Sequence, residues 1–500
     1  MKVYLIGAGP GDPGLLTLKG KEILTKVDVV IYDYLANSSF LDYAKAGAEL
    51  IYAGKRGGQH ALPQKEINQL VIDKFREGKS VARLKGGDPY IFGRGGEEAV
   101  ELAAQDIPFE VVPGVTSAIA SAAYAGIPVT HRGYASSLII ATGHEDPLKQ
   151  HSTMEWASMV KSGATLIFLM GMHNLEGIVD NLLQAGMPPK MLAAVIHHGT
   201  TPSHRSLVST VKNLPADVKK RGFTAPALII IGKVVKFRDQ LNWFEKKPLF
   251  AKGIVVTRAR DQFSDIAALL SEQGANVIQF PTIEIKALPD YSEVRKAIAH
   301  IGSYDWVAFT SVNGVKFFWE QLYALGLDTR VLAPCRIAAI GPATAQALKN
   351  MGVVANFIPE RFVSESVVQG LTTLGIKDKR ILIPRAVTTR DVLQKQLKAA
   401  GATVDVLHLY ETMPSDANRE ELLELLEKGA IQCITFASSS TVDNFMKLLS
   451  AKELKQFPDV RYACIGPITA QTLQKYGITC DFQPVHFTIQ DLVKILVEKL

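Results

Sequence analysis

Short runs of β-branched and aliphatic residues alternate with helix-like stretches along almost the whole chain. In the first half these runs are Val3–Ile6, Val29–Tyr32, Val81–Leu84, Leu138–Thr142, Thr165–Met170, Leu192–Ile196 and Ala227–Ile231. In the second half they are Ile254–Thr257, Trp306–Thr310, Ile337–Ile340, Ile381–Ile383, Ile431–Phe436 and Tyr462–Ile465. They are apolar throughout rather than every second residue, and Gly, Pro, Asp or Ser often follows. That pattern predicts an α/β fold of parallel strands buried on both faces. At about 100–200 residues per domain, 500 residues suggest three or four compact domains.

Two breaks in composition divide the chain. One lies at Thr130-His131-Arg132-Gly133, between two α/β blocks. The other is Arg238–Gly253, with the polar and aromatic string Asn242–Pro248, after which a new strand begins. The expected division is 1–240 (subdomains of about 1–132 and 133–240), a linker at 241–252, and 253–500. The last part carries an internal repeat. Ile254–Ala259 resembles Ile381–Ala386, Val307–Ser311 resembles Ile434–Ser438, and Ile340–Gln346 resembles Ile465–Gln471. Arg258 and Arg385, Phe309 and Phe436, and Gly341 and Gly466 stand 127, 127 and 125 positions apart. A near-constant offset implies two similar lobes with a cleft between them, a common place for ligands.

No segment reaches the ~18 consecutive apolar residues of a membrane helix. Met1-Lys2 runs straight into an apolar strand without the pattern of a secretory signal, so a cytoplasmic protein is expected. Cys335, Cys433, Cys464 and Cys480 form no CxxC pair and are expected to be reduced thiols. A net charge of +6 suits an anionic small-molecule partner. Without a dense Lys/Arg run, neither nucleic acid nor membrane is an expected partner.

The string Gly7-Ala8-Gly9-Pro10-Gly11-Asp12-Pro13-Gly14 follows the first strand and mimics a dinucleotide fingerprint. Asp12 stands where the third glycine belongs, and Pro10 removes an amide. An acidic residue at a helix start competes with phosphate, so a ligand without phosphate fits better; a tight turn with no ligand is the alternative. Arg83-Leu84-Lys85-Gly86-Gly87-Asp88-Pro89 and Gly93–Glu98 supply a second Gly-rich loop after a strand. Two such loops would line one crevice at the carboxyl edge of the sheet.

The strings at 7–20, 28–33, 54–58, 83–98, 111–118, 123–133 and 141–145 make residues 3–240 resemble the tetrapyrrole methylases, specifically the uroporphyrinogen III C-methyltransferases. The resemblance implies S-adenosylmethionine as methyl donor, bound between two α/β subdomains. It implies donor contacts at Pro10, Gly86, Gly87, Asp88, Ile91, Thr116, Ser117, Met170 and Gly199. It also implies a homodimer. A Gln usual in the family is replaced by His204. Asp33 is the candidate base and Lys55 the candidate acid, against helix capping or ribose binding for Asp33 and a solvated cation for Lys55. Arg56, Arg94 and Arg132, with Arg83, Lys85 and His131, form a plausible basic set for substrate carboxylates. His197-His198 could suggest a metal, but adjacent strand residues point to opposite faces, so no metal is expected.

Ile254–Arg260, Thr310–Gly314, the two Ile-Gly-Pro-x-Thr-Ala-Gln strings and Leu409-Tyr410-Glu411-Thr412 make residues 253–500 resemble the uroporphyrinogen III synthase family. The resemblance implies two flavodoxin-like lobes, 253–280 plus 412–500 and 284–408. It implies Tyr410 as a weak acid assisting loss of a hydroxyl; packing at a hinge strand is its alternative. Ser311, Ser438 and Thr469 are candidates for holding carboxylates, or plain helix caps. Arg258 and Arg385 are further carboxylate candidates. Together the halves imply an enzyme that cyclises hydroxymethylbilane to uroporphyrinogen III and methylates it twice to precorrin-2, which feeds sirohaem and cobalamin. The alternative is a methyltransferase acting on a later corrin precursor, with a C-terminal tetrapyrrole-binding sensor module. A nicotinamide-dependent oxidoreductase is disfavoured by Asp12 and Pro10.

Overall fold

The computed structural model describes residues 1–34, 36–54, 62–143, 154–258, 263–360, 364–387, 391–414 and 419–500. Lys55 and Arg56 lie outside them. Met1–Ile254, Ala268–Val277 and Leu496–Leu500 form one compact unit, and Val255–Ala267 with Ile278–Ile495 form the other.

The first unit opens with β1 (Val3–Gly7), β2 (Val29–Tyr32), β3 (Glu49–Tyr52), β4 (Val81–Lys85) and β5 (Phe109–Val112), in the order β3-β2-β4-β1-β5. All four pairings are parallel, with Gly7 opposite Lys85 and Tyr32 opposite Leu84. Every strand therefore ends on the same edge. Helix Gln64–Arg76 buries Ile67, Val71 and Ile72 on one stripe against Val3, Leu5, Val29, Ile31 and Val81, the period expected of an amphipathic helix on a sheet.

The second sheet holds β6 (Leu138–Thr142), β7 (Thr165–Leu169), β8 (Leu192–His197), β9 (Arg205–Thr210) and β10 (Ala227–Ile231), in the order β6-β7-β10-β8-β9. It departs from the parallel expectation. Only β6 and β7 run parallel; β10 is antiparallel to β7 and β8, and β9 to β8. β10 sits between β7 and β8 and is as apolar as a parallel strand, so its direction leaves no trace in composition. The edge strand β9 reads RSLVST with one fully buried residue. That polarity suits an edge and hides the strand in an apolar scan. Helix Ser117–Tyr124 is made largely of small residues. It buries Ala118 and Ala122 against Ile167, Ala194, Ile196, Leu228 and Ile230 of this second sheet, so it joins the two sheets of the unit.

The polar string after residue 238 folds back on the same unit. Glu245 accepts hydrogen bonds from Asn242 Nδ2 (2.8 Å), Ser206 Oγ (2.5 Å) and Arg238 Nη2 (2.5 Å), and lies 3.1 Å from His204 Nε2. His204 is 1% exposed, with the Phe244 and Phe250 rings beside it. It is therefore occupied in a structural clasp.

The second unit holds β18 (Cys433–Phe436) and β19 (Arg461–Cys464) of a sheet that, with β11 (Gly253–Val256) and β12 (Asn276–Gln279), is ordered β12-β11-β18-β19. Its other sheet contains β13 (Ile283–Ala287), β14 (Trp306–Phe309), β15 (Arg336–Ala339), β16 (Arg380–Ala386) and β17 (Thr403–Pro414), ordered β13-β17-β16-β14-β15. The repeated strings map strand for strand: β11 onto β16, β18 onto β14, and β19 onto β15. The isolated bridges Ala338↔Phe357 and Ala463↔Phe482 correspond as well. β12 and β13 stand 127 positions before the two ends of β17, and β13 extends the second of these sheets. It runs antiparallel to β17 with Ile285 opposite Thr412, positions 127 apart in sequence.

Burial works against the charge of Glu245, but bonds from His204, Ser206 and Asn242 and the Arg238 charge hold its carboxyl down at about 2, against 4.5 for the free group. A carboxyl depressed on folding contributes stability that is complete above its unfolded value and lost as pH falls through the folded one. The melting-temperature advantage of the native chain over Glu245→Gln should therefore shrink between pH 4.5 and about 2. An advantage constant across that window would show that the clasp does not use the charge.

Candidate functional site

The carboxyl edge of the first sheet is built on backbone contact. Gly9 and Gly87 exchange amide hydrogen bonds, 3.1 Å from Gly9 N to Gly87 O and 2.7 Å in return. A Cβ on Gly7 would lie 2.5 Å from Gly114 Cα, and one on Gly114 only 2.2 Å from Gly87 O. Side chains are excluded there, so the loops after β1, β4 and β5 close on each other directly. Asp88 fastens this arrangement, with Oδ2 accepting from Gly114 N (3.0 Å) and Oδ1 from Tyr90 N (2.8 Å). Of the expected donor contacts, Pro10, Gly86, Gly87, Asp88, Thr116 and Ser117 stand in these three loops. Ile91 follows, 41% exposed beside the exposed rings of Tyr90 and Phe92. Thr116 is buried and caps helix Ser117–Tyr124.

The loops of the second sheet supply the remaining two. Met170, just past β7, has φ 57° and is half exposed. Gly199 packs on helix Ser117–Tyr124 so closely that a Cβ would meet Ser121 Oγ at 2.2 Å. His198 and Thr200 flank it with φ of 47° and 70°. Left-handed backbone at non-glycine residues costs of order 1–3 kcal/mol each and concentrates at functional sites. Asp12 ties the two sides together: its amide donates to Thr200 Oγ1 (3.3 Å), and its carboxylate accepts from Gly14 N (2.7 Å) and from Tyr124 Oη (2.5 Å). A carboxylate thus stands where a dinucleotide turn would meet pyrophosphate.

Asp33 follows β2 on the same edge, 2.9 Å from Arg83 Nη2. Arg83 and Lys85 are each 3% exposed and converge on the buried Glu98, at 3.5 and 2.6 Å. Burial first, then the Arg83 charge, pushes the Lys85 ammonium down against the pull of Glu98. This corrects the expectation that Arg83 and Lys85 receive substrate carboxylates. Both are spent inside the fold, where removing one partner would leave an uncompensated charge. Arg94 is exposed and doubly bonded to Glu97, at 2.9 and 2.7 Å. Arg132 is exposed; its neighbour His131 stacks on Phe237 at 4.4 Å.

The two histidines at the end of β8 do not point to opposite faces. The strand ends at His197, His198 turns left-handed, and their rings meet edge to face at 4.2 Å. Burial, with smaller contributions from His198 and Arg205, pushes His197 down to about 4. Among the described residues no three His, Cys, Asp or Glu side chains are grouped to hold a metal. Nor is any described helix long and apolar enough to cross a membrane.

In the second unit Tyr410 is 6% exposed on β17, stacked on Phe317 at 5.3 Å, with its Oη 3.0 Å from Ser311 Oγ. Burial pushes its phenol up, and the Ser311 bond opposes this. Ser311 also caps helix Val312–Ala324 through Gly314 N (3.0 Å). Ser438 caps helix Ser439–Leu448 with a capping box. Ser439 and Thr472 bring the start of that helix beside helix Pro467–Lys475, which carries the buried Thr469. The structure thus joins Tyr410 to Ser311 on one sheet and places Ser438 and Thr469 on the other. Arg258 is held below its ordinary value by burial. The buried Arg385 reaches Asp391 at 2.5 Å.

Sequence reasoning missed Tyr124, Ser121, Thr200 and Glu98. Glu98 could have been suspected, because two basic residues in an otherwise apolar strand need a counter-charge. Nothing in the sequence marks Tyr124 as the partner of a residue 112 positions away.

Residues 2–215 match the family described as Tetrapyrrole (Corrin/Porphyrin) Methylases, and residues 264–494 match Uroporphyrinogen-III synthase HemD. The Porphyrin biosynthesis protein HemD of Ruminiclostridium josui is 38% identical over 476 residues, covering 95% of this chain and 94% of its own. The Uroporphyrinogen-III C-methyltransferase of Bacillus subtilis (strain 168) is 40% identical over 358 residues, 72% of this chain and 73% of that one. An S-adenosyl-L-methionine-dependent uroporphyrinogen III methyltransferase of Methanosarcina barkeri is 48% identical over 241 residues, 48% of this chain and 94% of that one. With a relative matched nearly end to end and both halves recognised in order, the chain belongs to the family in which a tetrapyrrole methylase and a uroporphyrinogen-III synthase share one polypeptide.

Proposed function

We propose that residues 253–500 cyclise hydroxymethylbilane to uroporphyrinogen III, and that residues 1–240 transfer two methyl groups from S-adenosylmethionine to that product, giving precorrin-2. The observation that carries the methylation reading is the crevice between the two sheets of the first unit. The first-sheet loops meet there through backbone and reach the second-sheet turn at Thr200, the loops of the two sheets carry the exposed apolar Ile91, Phe92 and Met170, and the first turn holds the carboxylate of Asp12. These residues fit a donor that carries adenosine, a cationic sulfonium and no phosphate. We assign the donor to Pro10, Gly86, Gly87, Asp88, Ile91, Thr116, Ser117, Met170 and Gly199.

When bound, S-adenosylmethionine supplies an electrophilic methyl group. The chain's part is to align a pyrrole carbon with it and to receive protons, so positioning dominates. Arg83 orients Asp33 at the sheet edge, and we assign to Asp33 the proton lost from the substrate, with Lys55 as the acid. Arg56, Arg94 and Arg132 are assigned to substrate carboxylates.

Cyclisation with inversion of one ring needs the linear substrate folded and its hydroxyl released. Tyr410, buried and hydrogen-bonded to Ser311, is assigned to assist that departure. Arg258, Ser311, Ser438 and Thr469 are assigned to the carboxylates. Family resemblance further supports a cytoplasmic homodimer, which light scattering on the purified chain would test.

The direct experiment supplies hydroxymethylbilane with and without S-adenosylmethionine and follows product mass and isomer. Isomer III without the donor and two added methyl groups with it are expected. Methylation only of ready-made uroporphyrinogen III would remove the cyclase assignment. Asp33→Ala should slow methylation by about 100-fold or more, the contribution of a general base, while leaving cyclisation unchanged; equal loss of both would count against separate sites. Tyr410→Phe should slow cyclisation alone, by about 100-fold for a lost general acid. A retained rate would reduce Tyr410 to a packing residue.

A further inference from the structure

The hydrogen bond from the Asp12 amide to Thr200 Oγ1 joins a loop of the first sheet to a turn of the second, and each of its partners is held from behind by the same short segment. On one side, Tyr124 Oη donates to Asp12 Oδ2 (2.5 Å). The Tyr124 ring is held in turn by Trp243 and Phe244, at 5.0 and 4.8 Å between centroids. Trp243 Nε1 donates to Ala123 O (3.1 Å), and Asn242 lies so close to Gly126 that a Cβ there would come within 2.4 Å of the Asn242 nitrogen. On the other side, the turn bearing Gly199 and Thr200 ends at His204, which lies 3.1 Å from the Glu245 carboxylate. Residues 242–245 thus brace the Asp12 turn through Tyr124 and the Thr200 turn through His204. None of the four belongs to the crevice loops.

We propose that this strap, Asn242–Glu245, together with Tyr124, consists of positioning residues that set the affinity for the methyl donor. The inference rests on the donor crevice assigned above. A braced Asp12 keeps the Gly9–Gly14 turn in its bound shape before the donor arrives, and a braced His204 does the same for Gly199 and Thr200. Affinity gained this way comes from freedom already lost in the free protein. Loosening either brace leaves the contacting atoms unchanged but makes binding order them. The predicted signature is a raised KM for the donor, with kcat at saturating donor retained.

The test uses the full chain and S-adenosylhomocysteine as probe, titrated calorimetrically. Tyr124→Phe keeps the ring between Trp243 and Phe244 and removes only the bond to Asp12. Its Kd should rise about ten-fold, as for loss of a hydrogen bond to a charged group, with cyclisation unchanged. Glu245→Ala should weaken binding similarly, and Glu245→Gln should recover most of it. The Tyr124→Phe/Glu245→Ala pair should lose less than the product of the single effects, because both act on one bond. Should Tyr124→Phe fail to fold, the Glu245 pair carries the test from the other end. Folded variants that bind the probe as the native chain does would overturn the strap. A native chain that does not bind the probe would instead overturn the donor crevice itself.

Discussion

Contact between bare backbones at Gly7, Gly87 and Gly114 is the constraint on which the first unit depends. Three loops meet at one sheet edge, and at Gly7 and Gly114 the space a side chain would need is already filled by a carbonyl oxygen or a neighbouring Cα, while Gly87 has a left-handed backbone. Once they meet, Asp88 can reach the amide of Gly114 and the turn after β1 is set against the loop after β4. The parallel order makes this possible by ending every strand on one side. The second wall is brought up by a helix of small residues, which packs on the second sheet while its capped end stays in the first-sheet loops.

Electrostatics then sorts the basic residues of this unit into two groups. Arg83 and Lys85 are buried with Glu98, and Asp33 takes its orientation from the Arg83 guanidinium. Such a cluster is costly to desolvate and stays favourable only while every member is present. It holds the Asp33 carboxylate at the carboxyl edge of the sheet. Arg94 and Arg132 lie at the surface instead, Arg94 paired with Glu97.

Much of this was legible in the residues. Runs of Val, Ile and Leu marked most of the strands, and the near-constant offset foretold two similar lobes. Strand direction was not legible, because β10 is equally apolar whichever way it runs. β3, β5, β9, β12 and β13, all edge strands, escaped, as did the inner strand β17; several of them carry polar residues, which suits an edge. The close meeting of the loops after β1, β4 and β5 could be anticipated from their glycines. The fate of Arg83 and Lys85 could not, since a cation in a strand looks the same whether it faces a ligand or a buried glutamate. The histidine pair misled because the rule of opposite faces ends where the strand ends, one residue earlier than assumed.

The antiparallel pairing of β13 with β17 also says something about origin. Ile285 faces Thr412, and the repeat makes those two positions counterparts. Two equivalent residues can face each other in this way only about a local twofold axis. A half-length chain bearing one copy of the repeat would form the same ladder with a second copy of itself, each lending a strand to the other's sheet, as in an exchanged homodimer. Joining the copies in tandem replaces an association that depends on concentration with one that does not. It also frees the two halves to diverge, so that the tyrosine at position 410 has an isoleucine, Ile283, as its counterpart.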